Sequence, residues 1–335
     1  MFPKHEKTGS RAKPTSPLRR RRKRRLSPAD LIVEAVSLRS FRSYERLELV
    51  LGPGLVLATG PNGAGKTNLL EALHVATQGF SPRTRNDKQL IRFGEDGARA
   101  AVQGRRADAP IGVEVKLELG SAKHATFNGA PLRSVEQLRA ELATLVFTPD
   151  RLGVVKGAPA ARRAYFDRAL GRLTPARAQL PADYGAAVAQ RNASLRRLLA
   201  GASSRDAIVP WTQQVAELGA QLVAARCEVL ALLGPAFAEH AGAFGLSAAG
   251  LRYDGEPPTV ELLESRLDRD LERGITGAGP HLDDVLVAAD GRDLRSFGSQ
   301  GEQRLAVLAL LLAEADLIAE RRGFPPLLLL DDVLS

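Results

Sequence analysis

Gly60-Pro61-Asn62-Gly63-Ala64-Gly65-Lys66-Thr67 matches G-x-x-x-x-G-K-[ST], the pattern of a phosphate-binding loop. Its flanks agree. Residues 55–58, Leu-Val-Leu-Ala, form an apolar run that reads as a strand. Residues 68–73, Asn-Leu-Leu-Glu-Ala-Leu, read as the first turns of a helix. The order matters physically. Glycines let the backbone curl until its N–H groups face inward, and the helix N-terminus adds positive dipole where phosphates sit. The residues from Gly60 to Thr67 are therefore candidate ligands of ATP. Lys66 is placed to reach the β- and γ-phosphates, and the Thr67 hydroxyl to hold Mg2+. A Gly-rich turn without a ligand is the alternative. The match at every fixed position, with both flanks correct, disfavours it.

A second element lies near the other end. Leu327-Leu328-Leu329-Leu330 precedes Asp331-Asp332. Four apolar residues suit a strand buried on both faces, as parallel strands are. Asp331 at its carboxyl end can share Mg2+ with Thr67, and Asp332 can orient or deprotonate an attacking water. A buried strand that merely ends in a charged turn has the same sequence. Pairing with the phosphate loop favours the functional reading. Between the two lies Ser299-Gln300-Gly301-Glu302. Ser299 with Glu302 fits a helix capping box. It also fits the signature motif of ABC-type ATPases, in which a Ser hydroxyl and helix N-terminal N–H groups meet the γ-phosphate held by a partner's loop. Both hold at once, because the geometry that caps a helix also binds an anion.

Phosphate loop, signature and acidic strand in that order imply an α/β fold, a P-loop ABC-type ATPase head with a mixed sheet. The spacing leaves room for an inserted helical lobe. Residues 31–38 and 44–51 read as strands, and 111–119 alternates apolar and polar positions. Residues 123–127 can pair with it before the hairpin signal Asn128-Gly129. From about 160 to 244 helical spacing prevails. Tyr165, Ala169 and Leu170 make one apolar stripe; Trp211, Val215, Leu218, Leu222 and Ala225 make another. Strand 284–289, helix 302–322 and strand 327–330 complete the chain. The expected division is a disordered basic tail (1–29), an N-terminal part of the head (30–150), a mainly helical lobe (151–275) and a C-terminal part of the head (276–335).

The net charge of +9 is concentrated in the tail, where residues 1–28 hold eleven Lys/Arg against one Glu, so the body is close to neutral. The tail is too polar to fold alone. It suits nonspecific attraction to nucleic acid, a nuclear address, or upstream sequence translated from an early start. No run of 18 apolar residues exists, so no membrane span is expected. One cysteine, Cys227, excludes an internal disulfide framework and fits a cytoplasmic location; it reads as a small core residue.

Several stretches resemble the RecF family of bacterial DNA-repair ATPases, relatives of the SMC heads. They are Leu38-Arg39-Ser40-Phe41-Arg42-Ser43-Tyr44, the loop with its Thr-Asn-Leu-Leu-Glu-Ala continuation, and Phe147-Thr148-Pro149-Asp150-Arg151-Leu152. Val155-Lys156-Gly157-Ala158-Pro159, Arg162-Arg163, Gln190-Arg191-Asn192 and Gly279-Pro280-His281-Leu282-Asp283-Asp284 complete the set; the family usually has Arg where Leu282 stands. The resemblance spans about 31–335. It implies ATP-driven homodimerisation and binding to single-strand/double-strand DNA junctions at gaps. It also implies partnership with a RecR-type mediator in recombinase loading, and slow, DNA-dependent ATP hydrolysis. The resemblance implies that the family continues beyond where this chain stops, so a fragment or a truncated reading frame is expected. The alternative function is then a nucleotide-gated DNA-binding module without effective hydrolysis.

With a neutral body, DNA must meet local clusters. Candidates are Arg83/Arg85/Lys88, Arg105/Arg106, Arg162/Arg163 and Arg191/Arg196/Arg197, although each such cluster is more often just a solvated helix or loop face. Four Tyr and one Trp argue against a base-stacking platform.

Overall fold

The computed structural model describes residues 33–52, 54–106 and 109–332. The basic tail lies outside the described residues, as do residues 31–32 of the first expected strand.

In chain order the first elements are β1 (Ala35–Phe41), β2 (Tyr44–Val50), α1 (Lys66–Gln78), β3 (Gly97–Arg106), β4 (Ala109–Glu118), β5 (His124–Phe127) and β6 (Ala130–Pro131). Next come α2 (Leu138–Glu141), β7 (Thr144–Phe147), α3 (Pro159–Leu173), α4 (Leu180–Leu199) and α5 (Val209–Ala243). The last are β8 (Gly250–Asp254), α6 (Val260–Ser265), α7 (Leu267–Arg273), β9 (Asp284–Ala289), β10 (Arg292–Asp293), α8 (Leu294–Phe297), α9 (Gln300–Arg322) and β11 (Leu327–Leu330).

Strands β2-β1-β3-β4-β5-β6 form one antiparallel sheet. Alternation decides its two faces. Val36, Leu38, Ala100, Val102, Ile111, Val113, Val115 and Leu117 are buried in one cluster with Ala72, Val75 and Ala76 of α1, and the intervening residues face outward. Leu119, expected to complete the inward stripe, is exposed just past the end of β4. At the β5–β6 hairpin Asn128 and Gly129 both take left-handed φ, 49° and 79°, as that turn requires.

Strand β7 pairs in parallel with β11, in the register Leu327↔Thr144 to Leu330↔Phe147. It joins two cores. Val146 belongs with Leu329 to the cluster of the large sheet; Leu145 and Phe147 belong to a second cluster with α3, α5 and α9. Both apolar stripes of the helical middle enter that second cluster: Tyr165, Ala169, Leu170, Val215, Leu222 and Ala225 are buried in it, with Leu218 packed against it. Trp211, at the outer end of its stripe, is only half-buried.

Three expectations need correction. Residues 55–58 are not a strand: Leu55 and Leu57 are 91% and 79% exposed, and no described strand pairs with them. Apolar content signals burial, but a strand exists only where a neighbour accepts its backbone hydrogen bonds. Strand β11 is not buried on both faces, because only Leu329 is fully covered and Leu330 is exposed. Cys227 is exposed, since α5 turns its neighbour Arg226 inward instead. Within Arg205–Ala243 one 18-residue window reaches a mean hydropathy of 1.4, apolar and long enough to cross a membrane by composition alone, which leaves the expectation of no span standing. The stretch is the central helix of the second core, packed by Val215, Leu222, Leu233 and Phe237.

Candidate nucleotide site

The chain from Gly60 to Gly65 curls through positive φ at Gly60 (153°), Gly63 (83°) and Gly65 (95°). Gly65 is tied by sterics as well as by backbone. A Cβ there would lie 2.9 Å from the Tyr44 hydroxyl, and φ of +95° is strained for any L side chain. Helix α1 begins at the next residue, so its unpaired N–H groups point into the loop. Lys66 folds back over that loop: its Nζ donates to the carbonyls of Gly60 (2.8 Å) and Pro61 (2.9 Å). The ammonium thus sits over the concave side, where anionic oxygens can replace two neutral acceptors.

Across the cleft stands Asp331. Its backbone N–H donates to Phe147 O at 2.9 Å, which extends the β7–β11 ladder by one residue. Its Oδ1 accepts from Thr67 Oγ1 at 3.1 Å, joining residues 264 positions apart. A hydroxyl and a carboxylate side by side, at the mouth of an N–H-lined loop, are hard oxygen donors of the kind Mg2+ takes. The donor set therefore fits Mg2+ with a nucleotide polyphosphate. Thr148, Glu71 and Arg83 line the same cleft. Asp332 follows with φ of +53°.

The loop is braced from the side by the β1–β2 hairpin. Tyr44 Oη donates to Gly65 O (3.1 Å), and Asn68 Nδ2 donates to Ser43 Oγ (2.9 Å). Arg42, held at φ of +52°, makes two bonds to the buried Glu71 of α1, at 2.9 and 2.8 Å. Ser81 (2.6 Å) and Arg83 (3.1 Å) donate to the same carboxylate. Burial pushes the Glu71 pKa up, but hydrogen bonds from Arg42 and Ser81, with the charges of Arg42 and Arg83, outweigh it and hold the carboxylate below its ordinary value. Sequence reasoning missed this brace. Its only signal was the co-occurrence of the 38–44 motif with Glu71 in the helix after the loop.

Ser299 is exposed at the start of α9, and the expected capping box is present. Ser299 Oγ accepts from Glu302 N (3.2 Å), and Ser299 N donates to Glu302 Oε2 (2.7 Å). Among the described residues this group bonds to itself and to Arg292, not to the loop. The structure brings together Gly60 to Thr67 and Asp331, and leaves Ser299, Gln300, Gly301 and Glu302 facing solvent apart from them.

Residues 35–144 match the AAA domain family. The DNA replication and repair protein RecF of Symbiobacterium thermophilum is 36% identical over 324 residues, covering 91% of this chain and 85% of the relative. That of Bacillus subtilis is 35% identical over 322 residues, covering 91% and 86%. The chain belongs to the RecF family. A solved structure of the recombination mediator protein RecF with ATP, in the RecFOR pathway, superimposes with a TM-score of 0.80 at 26% identity, covering 92% of this chain and 86% of that one. Its counterpart with ATPrS gives 0.77. The SMC head domain of Pyrococcus furiosus, at 15% identity and a TM-score of 0.50, shares the fold. The α/β ABC-type head read from the sequence is therefore the fold of this chain.

In this RecF-family chain the remaining family stretches converge on one polar network. Arg162 is buried and makes paired bonds to Asp284, both 2.6 Å. Arg163 donates to Asp283 O at 2.5 Å. Arg226 clasps Asp167 at 2.8 and 2.9 Å and donates to Pro280 O at 2.6 Å. Arg191 is buried against Asp270 (2.7 Å) and Thr276 (2.9 Å), and Asn192 Oδ1 accepts from Thr276 N (2.7 Å). His281 Nε2 donates to Thr276 O (3.0 Å), so Nδ1 is the acceptor for the Tyr184 hydroxyl (2.7 Å). Burial holds His281 below its ordinary pKa, against the opposing hydrogen bond to Thr276. Two residues read as DNA candidates are thereby corrected: Arg162 and Arg191 are internal ion-pair members, because α3 and α4 turn those positions inward, while Arg163 stays half-buried and Arg196 and Arg197 stay exposed. Arg105 and Arg106 are tied to Glu34 (3.2 Å) and Glu141 (2.6 Å).

Proposed function

We propose that the chain is an ATP-dependent DNA-binding protein of recombinational repair and replication. On this reading it binds single-strand/double-strand junctions at gaps and promotes recombinase loading with a RecR-type mediator in the cytoplasm. The observation that carries the reading is the 3.1 Å contact of Thr67 with Asp331, next to a loop whose lysine lies over its concave side. The loop N–H groups and Lys66 bind the ATP phosphates. Thr67 and Asp331 hold Mg2+, which supplies charge neutralisation at the phosphates. Asp332 orients the attacking water. Ser299, Gln300, Gly301 and Glu302 meet the ATP of a second copy, so ATP drives homodimerisation and slow hydrolysis releases it. The division at about residues 30, 150 and 275 belongs to the same reading, with the helical middle as a lobe of the head.

The test is gapped-DNA binding with and without ATP. ATP tightens binding by the parent, while Lys66→Ala removes that gain and keeps the circular dichroism and melt of the parent. An ATP gain of the same size in Lys66→Ala refutes the reading.

A further inference from the structure

The outward face of the large sheet carries an arrangement the nucleotide site does not use. Registers place Arg39 of β1 opposite Arg46 of β2 on one side and opposite Arg99 of β3 on the other. Arg99 stands opposite Lys116 of β4, and Lys116 opposite His124 of β5. Arg46, Arg39, Arg99, Lys116 and His124 thus form one row across five adjacent strands. With strands about 4.8 Å apart, the row spans roughly 19 Å. Arg46 and Lys116 are 78% and 56% exposed, Arg99 39%, and Arg39 and His124 are also exposed.

Like charges directly opposite one another destabilise a sheet. Here four cations stand in line. The next row on the same face offsets only part of that. Glu114 accepts from Arg99 (2.6 Å) and pairs with Lys116 (3.1 Å), while Ser37 accepts from Arg99 (3.0 Å) and donates to Glu48 (2.9 Å). Arg46 lies 3.9 Å from Glu48, a weak exposed pair. Arg39, second in the row between Arg46 and Arg99, has neither a hydrogen bond nor an ion pair through its side chain among the described residues. The arrangement costs stability and leaves Arg39 without a partner among the described residues, which a row of phosphates would relieve. No Phe, Tyr or Trp stands in these two rows, and the one ring, His124, lies at the far end on β5, so the face suits backbone contacts rather than a base-stacking platform.

We propose that this sheet face is a DNA-backbone surface, on which Arg46, Arg39, Arg99 and Lys116 take successive phosphates. The inference rests on the DNA-binding reading above and gives it a location. It differs from the four clusters read in the sequence, because a row across strands is not visible as a run along the chain.

The test uses the full chain with ATP and gapped DNA over a salt series. The variant is Arg39→Gln/Arg46→Gln/Lys116→Gln, which leaves Arg99 with its Glu114 and Ser37 partners. The control, Arg196→Gln/Arg197→Gln/Arg269→Gln, removes the same charge from the helical middle. Each lost phosphate contact lowers the slope of log affinity against log salt by about 0.9, so the row variant should lose roughly 2.7 from that slope. The expected result is that loss, at least tenfold weaker binding, unchanged ATP affinity, and a melting temperature equal to or above the parent's. A row variant that matches the parent overturns the inference and leaves the DNA reading intact. An equal loss in the control also overturns it, since net charge then suffices. A parent that does not bind gapped DNA overturns both.

Discussion

At the residue scale, the meeting of the phosphate loop with Asp331 was legible and the bracing of that loop was not. Lys66, Thr67 and Asp331 could be singled out because each holds a fixed place in a motif or at a strand end. The clasp of Glu71 by Arg42, Ser81 and Arg83 was hidden, because pairing across 29, 10 and 12 residues leaves no periodicity. His74, inside α1, was equally silent. It is buried, its Nδ1 donates to Phe80 O at 2.8 Å, and burial lowers its pKa from 6.5 to about 4, with the charges of Arg151, Arg139 and Arg172 acting in the same direction. The unfolded chain then takes up a proton where the folded chain does not. The stability this neutral imidazole contributes is fully present above about pH 6.5 and is lost as pH falls toward about 4. Between pH 7 and pH 5 the loss from this group alone is about 2 kcal/mol. His281 acts with the same sign. Melts at the two pH values should show His74→Asn losing clearly less stability on acidification than the parent. An equal acid loss in the variant would show that His74 titrates normally in the folded protein.

At the element scale, helices were read well and buried charge badly. Apolar spacing placed α3, α5 and α9 because that periodicity counts the residues that face a core. It has no means of counting an arginine turned inward, so Arg162 and Arg191 were read as surface candidates. Strand 55–58 failed for a different reason: pairing depends on a neighbour, and no local pattern specifies one. The start of α9 was read as both cap and signature, and the structure holds the cap. The two roles separate experimentally. Ser299→Ala should cost about 1 kcal/mol of stability through the lost cap. Ser299→Arg should cost about as much and also block ATP-dependent dimerisation, while each monomer still binds ATP. Light scattering with a slowly hydrolysed ATP analogue reads the difference. Normal dimers from Ser299→Arg would leave the segment with its capping role alone.

At the scale of the whole molecule, the order of three short motifs foretold the architecture. Phosphate loop, capped helix and acidic strand are far apart in the chain, and the parallel pairing of β11 with β7 brings the last to the first. Four strands of the large sheet were legible, but β3 and the order of the sheet, the polar network around residues 276–284 and the basic row across the sheet were not, since each arises from registers and contacts between distant strands and helices. The central claim is that Gly60 to Thr67 and Asp331 form one site for Mg2+ and ATP. Its most direct measurement is ATP affinity with and without Mg2+, in the parent and in Asp331→Asn. Mg2+ should tighten ATP binding by the parent about tenfold or more and by the variant several-fold less, with Mg2+-free affinity similar in both. An identical Mg2+ effect in the two proteins would contradict the claim, because Asp331 would then take no part in holding the ion.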